Sequence, residues 1–195
     1  IIGAALVSVM ARWGSEAIRG HGIPEVMDRI LHADSRIPAK LTILKPLSAA
    51  IAIGTGGPFG SEGPIIATGG ALGSLLGQVL RVTADERKIL LAAGAAAGMA
   101  ATFGTPVAAV LLAIELLLFE FRARSIIPVA LAACAATAVR LILLGNDPLY
   151  PMPTVMEPSG VALACYAILG LLIGAVSVGI TRSLYAVEDL FERLP

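Results

Sequence analysis

The feature that most constrains the fold is a set of long uncharged stretches, most of them broken by glycine and proline. Between Lys45 and Arg81 the only charged residue is Glu62. The other uncharged runs span 89–114, 125–139 and 158–181. With 57% hydrophobic and 14% charged residues, the chain is far more apolar than an ordinary globular domain. This pattern is typical of a polytopic membrane protein, so a lipid bilayer is its expected surroundings.

Most of the apolar segments are too short or too interrupted to be simple membrane-spanning helices. A spanning helix needs about 20 apolar residues, and only 161–181 reads as an uninterrupted run of that kind. Pro46 cuts 39–53, Pro64 opens 64–80, and FGTP interrupts 89–119. Broken backbone at membrane depth is tolerated only where protein or water covers it, and short, interrupted segments are typical of transporters. We predict an all-α polytopic membrane protein with broken, tilted helices, rather than a bundle with ordinary kinks.

The remaining composition disfavours several other classes of protein. Fourteen basic residues balance fourteen acidic ones, which argues against a nucleic-acid partner. The histidines, His21 and His32, share no apolar segment with a serine or cysteine placed for attack, and no metal-ligand spacing occurs. An intramembrane enzyme is therefore disfavoured, and neither a metal nor a cofactor is expected. The chain opens inside an apolar stretch and without Met, which indicates a fragment or a processed product.

Two residue types are interpreted as packing residues. Glycines recur four residues apart at 69, 73 and 77, at 94 and 98, and at 170 and 174. Small faces of this kind let helices approach closely in lipid. Cys134 and Cys165 lie in separate apolar segments and are expected to be small buried hydrophobic residues.

A single carboxylate, Glu62, stands in the Gly/Pro-rich break GGPFGSEGPIIATGG at 56–70. Pro64 suits the first turn of a helix, where its missing N–H costs nothing, so a helix is predicted to begin there. Free N–H groups and the positive end of the dipole favour an anion at such a start. Glu62 either caps its own helix or occupies an anion site that it vacates on protonation or displacement. An ionisable residue inside a membrane segment favours the second interpretation.

Two further stretches have the same form. RGHGIPEVMDRI at 19–30 places glycines around His21, followed by Pro24 and then Glu25 in the first helical turn. By itself it fits a well-capped interfacial helix as well as an anion site. FGTPVAAVLLAIEL at 103–116 begins a third helix at a proline. Three helix starts of this kind are predicted to converge on one anion.

The ordered set GHGIP, GSEGP and AAGAAAGMAATFGTPVAAVLLAIE resembles the CLC family of chloride channels and transporters. The family patterns are GSGIP, G-K/R-EGP, and a Gly/Ala-rich helix followed by F-N-x-P and an I-E pair. The resemblance covers nearly the whole chain and implies a homodimer whose subunits each hold an anion pore built from two inverted repeats. It implies that 1–159 is the first repeat, incomplete at its N-terminus, and that 160–195 opens the second. The family's later motif G-x-F-x-P and its pore-lining tyrosine are absent from this sequence.

The resemblance also assigns roles to individual residues. Glu62 matches the gating glutamate, which blocks the outer anion site and exchanges protons. The implied anion ligands, mainly through backbone N–H groups, are Gly20, His21, Gly22, Ile23, Gly60, Ser61, Gly63 and Ile65. His21 replaces the usual serine, and it can add an N–H donor or, when protonated, a positive charge. Ser61 replaces a basic residue.

A further departure concerns protons. Glu115 matches the first acid of the family's glutamate pair, but Leu116 stands in place of the second, which relays protons in coupled exchangers. Glu115 and Glu120 remain candidates for a proton path.

The resulting functional expectation is chloride transport across a membrane, the cell membrane by preference, through a pore gated by Glu62. Leu116 tilts this expectation towards passive conduction, with proton-coupled exchange as the alternative. A non-conducting scaffold is a more distant alternative, because the second repeat that completes a pore is not in this sequence.

Overall fold

The computed structural model describes residues 2–145, 147 and 158–192, and these residues are helical almost throughout. The helices are α1 (Ile2–Trp13), α2 (Ile23–His32), α3 (Leu41–Gly54), α4 (Glu62–Val79), α5 (Ala84–Phe103), α6 (Pro106–Ala113), α7 (Ala123–Leu144) and α8 (Gly160–Glu192). A 3-10 helix (Glu16–Ile18) precedes α2, and a π-helix (Ile114–Leu118) continues α6. The predicted all-α architecture with broken helices is confirmed.

The chain divides into two compact units, 1–149 and 150–195. The first unit contains α1–α7, and the second contains α8, which is a single helix of 33 residues. The division falls within 148–157, which lie outside the described residues. The assignment of 1–159 and 160–195 to two inverted repeats stays a prediction.

Two helices in the described residues are long and apolar enough to cross a membrane, namely α7 and the Gly160–Leu190 part of α8. The sequence-based expectation of a single uninterrupted span was therefore wrong. Pro128 lies in the second turn of α7, where it removes one hydrogen bond near the helix end without ending the helix. Likewise, α3 continues through Pro46. Other apolar helices are shorter than a span: α1, α3 and the segment Pro106–Leu118.

Helices α4 and α5 form the centre of the first unit, and their glycines allow the close approach that was predicted. A Cβ atom at Gly73 would collide with the carbonyl oxygen of Leu90, and one at Gly69 would collide with the carbonyl oxygen of Gly94. The side chains of Ile66 and Leu91 are fully buried. Cys134 on α7, in contrast, is exposed, so its prediction as a buried residue was wrong. Between Ser125 and Val139, α7 carries no charged residue, so the residue types around Cys134 did not indicate which face packs.

The connection after α2 is fixed to α4 by hydrogen bonds. The Ser74 hydroxyl donates to the carbonyl oxygen of Ser35 over 2.6 Å and accepts from the N–H of Ile37 over 3.0 Å. The Gln78 amide donates to the carbonyl oxygen of Ile37 over 2.9 Å. From α5, the Arg87 guanidinium donates to the carbonyl oxygen of Asp34 over 2.8 Å. These bonds hold the segment that follows α2 against α4 and α5. They therefore help to determine where the N-terminal end of α2 lies.

Candidate anion site

Helix α4 begins at Glu62, two residues earlier than predicted. The N–H of Ile65 donates to the carbonyl oxygen of Ser61 over 3.0 Å and closes the first turn. It is therefore not free for an anion. Because Pro64 has no N–H, the unpaired donors of this start belong to Gly60, Ser61, Glu62 and Gly63. None of them has an acceptor among the described residues.

The Glu62 side chain is exposed, and among the described residues its carboxylate neither accepts a hydrogen bond nor forms an ion pair. Ser61 makes no side-chain cap either. The interpretation in which Glu62 caps its own helix through a hydrogen bond therefore has no support in the geometry. The carboxylate stands at a helix start with unsatisfied donors, where the dipole favours negative charge.

The start of α2 differs because a carboxylate already accepts a hydrogen bond from one of its N–H groups. Glu25 Oε2 accepts the N–H of Gly22 over 2.7 Å, while Glu25 Oε1 contacts the position that a Cβ of Gly20 would occupy. Gly20 and Gly22 have φ angles of +85° and +113°, a region that favours glycine. Of the predicted ligands in this loop, Gly22 thus has its N–H paired, whereas Gly20, His21 and Ile23 have no acceptor among the described residues.

The two helix starts touch each other through glycine. A Cβ at Gly22 would lie 2.5 Å from the carbonyl oxygen of Gly63. A Cβ at Gly63 would collide with the carbonyl oxygen of His21 and would lie 2.7 Å from His21 Nδ1. The structure therefore brings together the two loops that were predicted from sequence to share an anion, with the His21 imidazole beside the first turn of α4.

A cavity of about 500 Å3 opens between these loops and α3. Its lining includes Gly20 and His21 from the first loop and Gly60 and Pro64 from the second. Its titratable lining residues are Arg19, His21 and Lys45, and no acidic residue in the described part of the chain lines it. Positive charge and unpaired N–H donors at a partly enclosed site suit a small anion.

Lys45 and Arg19 were not assigned a role from the sequence. In the sequence, Lys45 stands at the edge of a long uncharged run. Apolar residues lie on both sides of it, and a charged residue in such a position can be an intramembrane group. In the structure Lys45 is 5% exposed, and its ammonium donates to backbone carbonyls of the first loop.

The start of α6, the third predicted helix start, makes no contact with the starts of α2 and α4 among the neighbours of their glycines. Helix α6 begins at Pro106, after Gly104 ends α5 with a φ of +66°. The atoms nearest to Gly104 belong to Arg140 of α7. The atoms nearest to Gly22 and Gly63, in contrast, come from residues 21, 63 and 67. The convergence of all three starts therefore stays a prediction.

The candidate proton-path residues lie near the π-helix. Glu115 is exposed, and Leu116 is half-buried and packs against the core. Glu120 accepts a hydrogen bond from the Ser125 hydroxyl, and its Oε2 lies 3.5 Å from Arg122 Nε. The Ser125 hydroxyl, with the nearby basic side chains, lowers the pKa of Glu120. Glu120 thus favours its charged form, which makes it a poor proton acceptor at neutral pH.

Comparisons with known proteins place the chain among chloride transport proteins in sequence and in fold. The chain is 34% identical over 186 residues to the H(+)/Cl(-) exchange transporter ClcA of Vibrio cholerae, covering 92% of this chain and 39% of that protein. It is 32% identical over 174 residues to the chloride channel protein CLC-f of Arabidopsis thaliana, covering 83% and 22%. The chain therefore spans well under half the length of these relatives.

A solved structure, that of a slow cyanobacterial Cl-/H+ antiporter, matches the fold with a TM-score of 0.79 and 26% sequence identity. The match covers 99% of this chain and 46% of that one. The family model described as voltage gated chloride channel matches residues 2–195. The chain belongs to the voltage-gated chloride channel family.

Proposed function

We propose that the full-length protein transports chloride across a membrane in exchange for protons, with Glu62 as the gate. The observation that carries the proposal is the contact between Gly22 and Gly63. It places two helix starts beside a cavity whose charged lining residues are all basic. Helix starts bind anions through their N–H groups and dipole, so the geometry suits chloride better than a cation or a neutral solute.

Glu62 can act as the gate because its carboxylate is an anion that competes for the same donors. While ionised, it is held near the unpaired N–H groups of Gly60, Ser61 and Gly63 by the dipole of α4. Protonation removes that attraction and leaves the donors to chloride. Chloride entry would then be coupled to protonation of Glu62, which is a physical basis for proton-coupled transport.

Proton exchange is preferred here to passive conduction because of the relatives. The Vibrio cholerae relative is named an exchange transporter, and the solved neighbour is described as a Cl-/H+ antiporter. Passive conduction is the second candidate, since Leu116 cannot carry a proton and CLC-f is named a chloride channel. The homodimer, the cell-membrane location and anion binding by Gly20, His21 and Ile23 form part of the same proposal, on the strength of the family resemblance. Gly22 and Ile65 are left out of the ligand set because their N–H groups are already paired.

The test uses the full-length gene product reconstituted in liposomes under opposed chloride and proton gradients, with the voltage at which net current reverses as the readout. We expect the reversal voltage to move when only the pH gradient is changed. A reversal voltage set by chloride alone would replace exchange with passive conduction. The absence of any chloride flux would favour a scaffold and overturn the proposal.

A further inference from the structure

Lys45 is a buried cation inside an apolar helix, and the gate described above makes no use of it. Its Nζ donates to three successive carbonyl oxygens, at 3.0 Å to Ile18, 3.4 Å to Arg19 and 3.0 Å to Gly20. The ammonium has three donors, so this arrangement uses its hydrogen-bonding capacity fully. A buried ammonium that lacked such partners would be strongly unfavourable.

The residues that carry these carbonyls, Ile18, Arg19 and Gly20, all line the anion cavity. Gly20 is the first glycine of the loop before α2. The C=O of one residue and the N–H of the next lie on opposite sides of a planar peptide unit. The carbonyls of Arg19 and Gly20 converge on the ammonium, so the N–H groups of Gly20 and His21 point away from it. These two N–H groups have no acceptor among the described residues.

The N–H of Arg19 behaves differently, because it donates to the carbonyl oxygen of Glu16 over 3.0 Å within the 3-10 turn. Lys45 therefore orients a loop whose free donors are those of Gly20 and His21. On the other side of the same loop, Glu25 holds the N–H of Gly22. The loop is fixed at both ends by charged side chains from α3 and α2.

We propose that Lys45 is a positioning residue for anion binding. It gathers the carbonyls of residues 18–20 on itself, which keeps these negative dipoles from repelling the anion and leaves the N–H groups of Gly20 and His21 available. Its charge adds a favourable potential, but hydrogen bonding to the carbonyls is the specific role. This inference rests on the proposed chloride function and names a residue that the function requires.

The test measures chloride affinity by isothermal titration calorimetry on the purified full-length gene product, for four variants. Lys45→Met removes the charge and the donors and should weaken chloride binding about tenfold or more. Lys45→Gln has no charge but keeps two N–H donors, so it should bind chloride between Lys45→Met and wild type. Lys45→Arg should stay near wild type. Lys40→Met is the matched control, because Lys40 donates to one carbonyl, that of Gly14, on the exposed surface, and it should bind chloride like wild type.

The outcomes separate the inference from the function on which it rests. If Lys45→Met binds chloride as tightly as wild type, the inference is overturned while the function stands. If Lys45→Gln and Lys45→Met are equally weak, charge alone explains the effect and the positioning role is overturned. If Lys45→Met does not fold, Lys45→Gln and Lys45→Arg decide. Weaker chloride binding by Lys45→Gln than by Lys45→Arg supports the inference. Chloride binding by Lys45→Gln that equals wild type overturns it, because no ammonium would then be needed. No chloride binding by wild type would overturn the function itself.

Discussion

Gly63, in the first turn of α4, lies so close to His21 that no side chain fits between them. A Cβ at position 63 would collide with the carbonyl oxygen of His21 and approach its Nδ1 to 2.7 Å. The relationship joins two loops that are 42 residues apart in the sequence. It explains physically why glycine follows Glu62, since the partner loop occupies the space of a side chain.

Replacing Gly63 with alanine should separate the two helix starts. Overpacking of this kind typically costs about 1–3 kcal/mol, so we expect a lower melting temperature in detergent and a loss of chloride flux in liposomes. Gly54→Ala, at the end of α3, is the control outside the anion site, because nothing lies within 4 Å of a Cβ at that position. A Gly63→Ala protein with wild-type melting temperature and flux would contradict the contact.

A second packing prediction concerns the α4–α5 hairpin. A Cβ at Gly73 would collide with the carbonyl oxygen of Leu90, which is backbone and cannot move without moving α5. Gly73→Ala should therefore lower the melting temperature, by an amount equivalent to about 1–3 kcal/mol. Gly54→Ala, at an open position at the end of α3, should have little effect. Equal melting temperatures for the two variants would show that the helices have room to relax.

The family resemblance predicted more of the site than composition did. The GSEGP and GHGIP segments predicted that two loops share an anion site, and the structure brings Gly63 and Gly22 of these loops into contact. Glycines four residues apart, which that spacing places on one helix face, predicted close helix packing, and the contacts of Gly69 and Gly73 with α5 are an instance of it. These signals are local repeats or motifs, so one sequence was sufficient to find them.

Other features depend on tertiary contacts or on competition for hydrogen bonds. The three carbonyl partners of Lys45 come from 25 to 27 residues earlier in the chain, and no spacing rule indicates them. The hydrogen bond from the Gly22 N–H to Glu25 could have been predicted from the sequence. Glu25 stands three residues after Gly22 in the first turn of a helix, as in a capping box. The continuous helices through Pro46 and Pro128 show that a proline near a helix start is a weak break signal.

The pH dependence of stability should include a contribution from Glu86 at the start of α5. Its carboxylate accepts the Thr83 N–H over 2.9 Å and the Thr83 hydroxyl over 2.8 Å, and these bonds lower the pKa of Glu86. A lowered pKa in the folded state stabilises the protein above the unfolded pKa, and the contribution is lost as pH falls through the folded value.

The melting temperatures of wild type and Glu86→Gln should therefore differ at neutral pH and converge as the pH falls below about 4.3, the ordinary pKa of glutamate. A difference between wild type and Glu86→Gln that persists unchanged into acid would contradict the assignment.

The two candidate proton-path residues should behave differently. The lowered pKa of Glu120 and its bond from Ser125 favour a structural role for this carboxylate. Glu120→Gln should therefore leave the ratio of protons to chloride unchanged, whereas Glu115→Gln should reduce proton flux more than chloride flux. The measurement is simultaneous recording of both fluxes in liposomes. Loss of coupling in Glu120→Gln alone would place that residue on the path.

Glu62→Gln tests the gate itself. Glutamine has nearly the shape of a protonated glutamate but cannot become an anion, so the donors of Gly60, Ser61 and Gly63 should stay available to chloride at every pH. We expect chloride flux that is equal to or higher than wild type, no response of that flux to pH, and no coupled proton flux.

Glu86→Gln is the matched control, since it removes the charge of another exposed first-turn glutamate on the neighbouring helix. Because both variants lose one negative charge at a helix start, a general effect of charge or of capping would appear in both. A change confined to Glu62→Gln would belong to the anion site, whereas wild-type flux and a wild-type pH response in that variant would remove Glu62 from the gate.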